Sequence, residues 1–194
     1  MRLTSFRCLL AIAAANPPWE IFADDATQAF VQAKRPTDKP LYAAYPEGRK
    51  KPGHCMLLLR QLYGTHDAPQ AFYQMVKDHL TGPLQGLVQS KVDECHFHSV
   101  DGDLHVVVHV DDFACTGAPE AVAKYREELY KAFTMTGGKI GTYYGLDVVA
   151  KPGYTSVAST SYIVKAMSKL ALKPKSWETP MDSTVTLERF DGGV

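Results

Sequence analysis

The 194-residue sequence has no surplus of charge of either sign, with 21 Lys and Arg set against 21 Asp and Glu. This argues against a protein that grips polyanions through a general basic field, since phosphate neutralisation dominates such affinity. Cysteine is scarce and scattered: Cys8, Cys55, Cys95 and Cys115 form no CxxC pair. That spacing excludes a disulfide framework and fits reduced thiols in an intracellular protein. No apolar run is long enough to span a membrane. Internal repeats and low-complexity tracts are missing too. What remains is an ordinary globular composition, 45% hydrophobic and 22% charged, in a length that suits one domain with a real core.

Against the neutral background one basic cluster stands out. Arg49, Lys50, Lys51, His54 and Arg60 fall within a dozen residues, either as a local phosphate-binding patch or as the solvated surface of a loop. A zinc site can be drawn from His54-Cys55 and Cys95-His96-Phe97-His98, but the spacing matches no usual paired-ligand pattern. The N-terminus also has two readings. Arg2 and Arg7 with the apolar stretch from Cys8 to Ala15 resemble a short secretory signal. The alternative, which we favour, is a buried helix with Thr4 or Ser5 as N-cap that ends before Pro17-Pro18.

Local patterns alternate helices with hairpins. Trp19–Ala23 reads as a strand delivering Asp24-Asp25 at its end, and Ala26–Ala33 as a short helix or turn. A loop over Lys34–Pro40 follows, then strand candidates at Leu41–Tyr45 and Cys55–Leu62. Phe72, Met75, Val76 and Leu80 recur at helical spacing, which predicts a helix from Ala68 or Pro69, with Asp67 as N-cap. Leu87-Val88 and Cys95–Val100 read as strand edges, and Asp101-Gly102 marks a tight hairpin into a strand over Leu104–Val110. Pro119–Phe133 is a helix, closed by Gly137-Gly138. A strand over Thr142–Val149, a returning strand Tyr154–Ala158 and a helix Ser161–Leu172 follow. The expected fold class is α+β, with helices packed on an antiparallel sheet. The expected domains are 1–172, with 173–194 as a linker or tail.

The chemistry concentrates in His109-Val110-Asp111-Asp112, at the end of the apolar run Leu104–Val108. Two adjacent carboxylates between β-branched stretches must be paired, hydrated or bound to metal. A hairpin tip offering both to a hard divalent cation is the natural solution, because Mg²⁺ takes oxygen ligands and keeps several waters. Two-ion phosphoryl transfer needs carboxylates that hold cations ~3.5–4 Å apart. Asp25, at another strand end, is the natural third member. Asp24 could replace it by a one-residue shift.

These residues resemble the reverse transcriptase of copia-type retrotransposons, collinearly over almost the whole chain. Arg2-Leu3-Thr4-Ser5 with its apolar helix, Asp25-Ala26-Thr27-Gln28-Ala29-Phe30, Pro46-Glu47-Gly48, Leu62-Tyr63-Gly64 with Ala68-Pro69, and His109–Asp112 follow the family order. Tyr144-Gly145-Leu146-Asp147, Ser161-Tyr162 and Thr179-Pro180-Met181 continue it. The spacing from Asp25 to Phe30 favours Asp25 over Asp24, which is then expected to be a solvated neighbour. The resemblance implies a palm domain with incomplete fingers and a partial thumb or connection. It implies an RNA-directed DNA polymerase holding two Mg²⁺ or Mn²⁺ ions at Asp25, Asp111 and Asp112. Phe30 would gate the sugar 2′-hydroxyl, and the Gly64–Pro69 segment would shape the site for the template base and incoming nucleotide. Partners would be an RNA template, a DNA primer and deoxynucleoside triphosphates, with no membrane.

The chain departs from the family pattern. The basic fingers segment is expected upstream of Arg2, and the ribonuclease H, integrase and protease regions of the parent polyprotein lie outside this sequence. His109 stands where the family carries Tyr, and Thr65, His66, Asp67 and Gln70 replace apolar, basic, amide and arginine residues. Two function classes follow: an active polymerase domain, or a retrotransposon remnant that folds as a binding or structural module without catalysis.

Overall fold

The computed structural model describes residues 1–171, so the expected tail and the Thr179-Pro180-Met181 segment lie outside the described residues. The chain divides into a unit of Met1–Ser159 and a second beginning at Thr160. In the second, α5 is described over Thr160–Lys169, slightly shorter than the expected Ser161–Leu172.

The first unit opens with α1 (Leu3–Ala15) and β1 (Glu20–Ala26). Phe6, Leu9, Leu10 and Ala13 recur at helical spacing and are buried, each large side chain contributing about 2 kcal/mol of burial. Pro17 and Pro18 stop the helix. Neither Thr4 nor Ser5 caps it. The helix starts earlier, and the Asp93 carboxylate accepts from the Arg2 N–H and the Ser5 hydroxyl, both at 2.6 Å. An acidic group at the positive end of the helix satisfies the Arg2 N–H from 91 residues away in sequence. Burial alone would push the Asp93 carboxyl up, yet the bonds from Ser5, Arg2 and Cys95 hold it below its ordinary value.

Next come α2 (Ala29–Gln32), the small ribbon β2 (Tyr42–Ala43) with β3 (Met56–Leu57), and α3 (Ala68–Thr81). The strand expected over Cys55–Leu62 is only two residues long. The chain beyond it is held by loop contacts instead: Arg60 bridges Lys34, and the Gln61 N–H donates to the Ala33 carbonyl. Pro69 sits in the first turn of α3 as expected. Asp67 makes no cap bond, because its carboxylate is drawn to Arg35 at 3.1 Å.

The main sheet then assembles from β4 (Val88–Gln89), β5 (His96–His98), β6 (Leu104–His109), β7 (Asp112–Gly117) and, after α4 (Pro119–Ala132), β8 (Met135–Lys139). Its order is β4-β5-β6-β7-β1-β8, antiparallel throughout, so β1 lies between β7 and β8. Gly137 and Gly138 belong to β8 rather than ending the preceding unit. A Cβ on Gly137 would collide with the backbone of Ala23 and Asp24 and with the Asp24 carboxylate. A second sheet orders β9 (Thr142–Tyr143), β10 (Leu146–Lys151) and β11 (Tyr154–Ala158) as β11-β10-β9. The single strand expected over Thr142–Val149 is broken at Tyr144-Gly145, where both residues have positive φ, 52° and 73°.

The pleat sorts the main sheet into two faces. Ala26, Leu104, Val106, Val108, Phe113 and Cys115 join one core with Phe72, Val76 and Leu80 of α3 and Val122, Tyr125 and Leu129 of α4. Ile21, Val107 and Ala114 join the other, under α1 and with Tyr143 and Val148. The α+β class expected from the sequence is what is found.

Candidate active site

Adjacent carboxylates on a strand must point to opposite faces, and β1 shows the consequence. Asp24 follows the parity of Phe22 and Ala26 and faces α4. It is 4% exposed, not solvated as expected. Arg126 of α4 donates to both its oxygens, from Nε at 3.0 Å and from Nη2 at 2.7 Å, and the Tyr130 hydroxyl donates at 2.7 Å. The Arg126 guanidinium also lies 4.6 Å from the Phe22 ring centre. Charge, hydrogen bonds and cation–π contact together satisfy Asp24.

Asp25 faces the other way. Its cross-strand partner is Asp112, the first residue of β7. Asp111 occupies the two-residue turn before it, where its carbonyl accepts from the Ala26 N–H at 2.8 Å. The structure therefore brings Asp25, Asp111 and Asp112 together at one end of the sheet. No Lys or Arg among the described residues forms an ion pair with any of the three. Burial and the Asp111 charge push the Asp25 carboxyl above its ordinary value. Burial, Asp111 and Asp25 do the same to Asp112, partly offset by His109. Like charges are thus crowded without a counter-ion.

The turn itself is strained. Val110 takes φ 59°, a region that β-branched residues rarely enter. His109 pairs with Asp112 across the hairpin and packs edge-on against Tyr144, ring centres 4.5 Å apart. Behind Asp112, the Tyr143 hydroxyl donates to its carbonyl at 3.3 Å, and the Tyr143 ring stacks near Phe6 of α1. Burial, then the charge of Asp112, push the Tyr143 phenol up, so it stays a neutral donor.

The donor set suits a hard divalent cation: three carboxylates, no nitrogen or sulfur, and uncompensated charge. Among the described residues no three His, Cys, Asp or Glu side chains already ring a single point.

The remaining expected residues lie in α2, at the start of α3 and in the loops between them. Phe30 in α2 is half-buried, with its ring 4.7 Å from Tyr63 and 6.4 Å from Phe72. Tyr63 precedes Gly64, whose φ of 90° makes the turn into α3. Pro69 is exposed on the first turn of α3. The basic residues Arg49, Lys50, Lys51, His54 and Arg60 are all exposed, with Arg60 donating to the Gln32 carbonyl at 2.6 Å. Sequence reasoning missed Arg126, Tyr130 and Gly137 around Asp24, and Tyr143 behind Asp112. One signal for the first pair was present: an arginine set among Val122, Tyr125 and Leu129 on the buried face of α4, with a tyrosine four residues on.

Among the described residues no helix is long and apolar enough to cross a membrane. The family model described as reverse transcriptase (RNA-dependent DNA polymerase) matches residues 1–183. Two Arabidopsis thaliana proteins, the retrovirus-related Pol polyproteins from transposons RE1 and RE2, are each 26% identical over 200 residues, covering 99% of this chain. The chain spans 13% of the length of each. No solved structure matches. With its family order of motifs and its facing aspartates, the chain belongs to the reverse transcriptase family, as a domain related to part of a retrotransposon polyprotein.

Proposed function

We propose that this chain is the palm-centred part of an RNA-directed DNA polymerase, extending a DNA primer on an RNA template with deoxynucleoside triphosphates. The observation that supports this most is the register Asp25↔Asp112, with Asp111 beside it and no Lys or Arg among the described residues paired to them. Asp25, Asp111 and Asp112 would hold two Mg²⁺ or Mn²⁺ ions. Those ions, when bound, lower the pKa of the attacking 3′-hydroxyl and stabilise the leaving pyrophosphate.

The chain's own residues then position and exclude. Tyr143 fixes the backbone of Asp112, and the Asp111 carbonyl pins the end of β1, so Asp25 and Asp112 sit on paired strands with Asp111 in the tight turn beside them. Phe30, braced by Tyr63 and Phe72, supplies a rigid wall against a sugar 2′-hydroxyl. Gly64 and Pro69 set the entry of α3, which would shape the site for the templating base and incoming nucleotide. The remaining polyprotein regions would act on the same nucleic acid.

A second reading rests on a specific contact. Arg35, otherwise available to a phosphate, is bound to Asp67 and Gln61, and Asp67 is one of the departures from the family pattern. A remnant that keeps the fold but not the nucleic-acid track would show this. Primer extension on an RNA template with Mg²⁺ or Mn²⁺ decides between them, using this chain alone and extended upstream. Incorporation that disappears in Asp111→Asn supports the polymerase. No incorporation in either form, with the fold intact, supports the remnant.

A further inference from the structure

The basic cluster has no part in the carboxylate site. Residues 34–60 hold seven Lys and Arg against two acids, Asp38 and Glu47, so a balanced chain is locally cationic. Arg35 is taken up by Asp67, but none of Arg49, Lys50 and Lys51 forms an ion pair among the described residues. These three stand in the loop of the ribbon made by β2 and β3, whose register is Tyr42↔Leu57 and Ala43↔Met56. Tyr42 on that ribbon is 58% exposed.

The loop is folded into two tight turns. The Arg49 N–H donates to the Pro46 carbonyl at 3.0 Å, and the His54 N–H to the Lys51 carbonyl at 3.1 Å. Gly48 and Gly53, third in each turn, take φ of 80° and 73°, where a type II turn requires a positive value. Lys50 and Lys51 are thus held between the two turns. With Ala44, Tyr45, Pro52 and His54 they line a cleft of about 390 Å³, and no acid is among its lining residues. That volume is at the small end for ligand sites and suits a single nucleotide.

We infer that the β2–β3 ribbon binds single-stranded nucleic acid, with one base stacked on the Tyr45 ring and the adjoining phosphates on Lys50 and Lys51. Sequence-tolerant strand binding combines these two parts, cations along the backbone and an aromatic face for an unstacked base. In a duplex each base is covered by its neighbours, which leaves no face for the ring. An acidic peptide would match the charge and leave the aromatic wall unused. The inference deepens the proposed polymerase and rests on it for the identity of the strand, the unpaired RNA template. The cleft itself draws on none of the three aspartates.

The test is fluorescence anisotropy of a labelled uridine dodecamer with the purified chain, in EDTA and without triphosphates. These conditions separate the site from catalysis: a chain that binds the strand but fails in primer extension loses the polymerase reading and keeps the ribbon site. A thymidine dodecamer should bind about as tightly, because both strands offer the same ring faces and phosphates. Lys50→Gln combined with Lys51→Gln should weaken binding at least tenfold. It should also lower the slope of log affinity against log salt by about 1.4, at ~0.7 for each phosphate contact. Tyr45→Ala should weaken binding about tenfold with the slope unchanged, and Tyr45→Phe should restore it. Lys124→Gln, on α4, should change neither quantity. Circular dichroism checks that each variant folds. Affinity that is absent, equal in wild type and the double lysine variant, or no greater for the single strand than for a blunt RNA duplex overturns the assignment. Displacement by polyglutamate as complete as by unlabelled strand also overturns it, and gives the ribbon to an acidic protein partner.

Discussion

The two faces of β1 treat neighbouring aspartates in opposite ways. On one, Asp24 is buried and held by Arg126 and Tyr130 with four polar and cation–π contacts around it. On the other, Asp25 lies opposite Asp112 with the charge of Asp111 beside it, both of its own sign, and no Lys or Arg among the described residues forms an ion pair with it. The backbone, strand and sequence position are nearly the same, so the difference lies wholly in what each face provides. A fold that places an arginine at one carboxylate and none at the next leaves the second, which is exposed, open to an external cation. That asymmetry, rather than acidity as such, distinguishes the structural aspartate from the one proposed to work.

The contrast can be broken from either side. Asp111→Asn or Asp25→Asn should reduce primer extension by roughly 10³-fold or more, because a metal-anchoring carboxylate carries several kcal/mol of transition-state stabilisation. Their urea unfolding midpoints should not fall. Asp24→Ala should do the reverse. It leaves Arg126 facing an apolar surface and should cost roughly 3 kcal/mol, at the low end for a broken buried pair because Arg126 keeps partial exposure; urea unfolding measures it. Gly137→Ala, which pushes a methyl into the Asp24 carboxylate and its backbone, should cost about 2 kcal/mol by the same measurement.

The opposite sign is expected at the hairpin tip. Val110→Gly should stabilise by about 1 kcal/mol, relief of the positive-φ strain outweighing the added freedom of the unfolded chain. The smallest effect sharpens the electrostatic half of the comparison. Asp112 has its pKa raised in the folded state, so the native chain binds a proton more readily than the unfolded one. Ionisation therefore costs stability as pH rises through the folded value. Asp112→Asn should gain about 0.5 kcal/mol at neutral pH in metal-free buffer, discounted for solvent screening. The gain should vanish as pH falls below the ordinary carboxylate value of 3.8, and thermal melts across pH check it.

The parts of this arrangement written in local pattern were legible in the sequence. The apolar run Leu104–Val108 ending in paired acids announces a hairpin, and the Asp25–Phe30 spacing picks Asp25, the aspartate of β1 that stands opposite Asp112. Phe72, Val76 and Leu80 mark α3 by their period alone. What could not be read depends on contacts across long stretches of chain. Asp24 looks like a surface acid until α4, a hundred residues later, brings Arg126 over it. Gly137-Gly138 looks like a terminator because the close approach that requires a missing side chain is made by a strand far upstream. Asp93 gives no local sign that it will close the first turn of α1.

The central place of β1 also has a consequence for how the chain is made. Ala26 ends that strand and Asp112 opens the first of its two sheet neighbours, so roughly 5–15 s of synthesis separate them at ordinary ribosomal speed. Through that interval Ile21 and Phe22 wait with both hydrogen-bonding edges open, exposed to any other nascent strand. Slower translation lengthens the interval, and chaperone capture before β7 emerges should decide how much of the product reaches its native sheet.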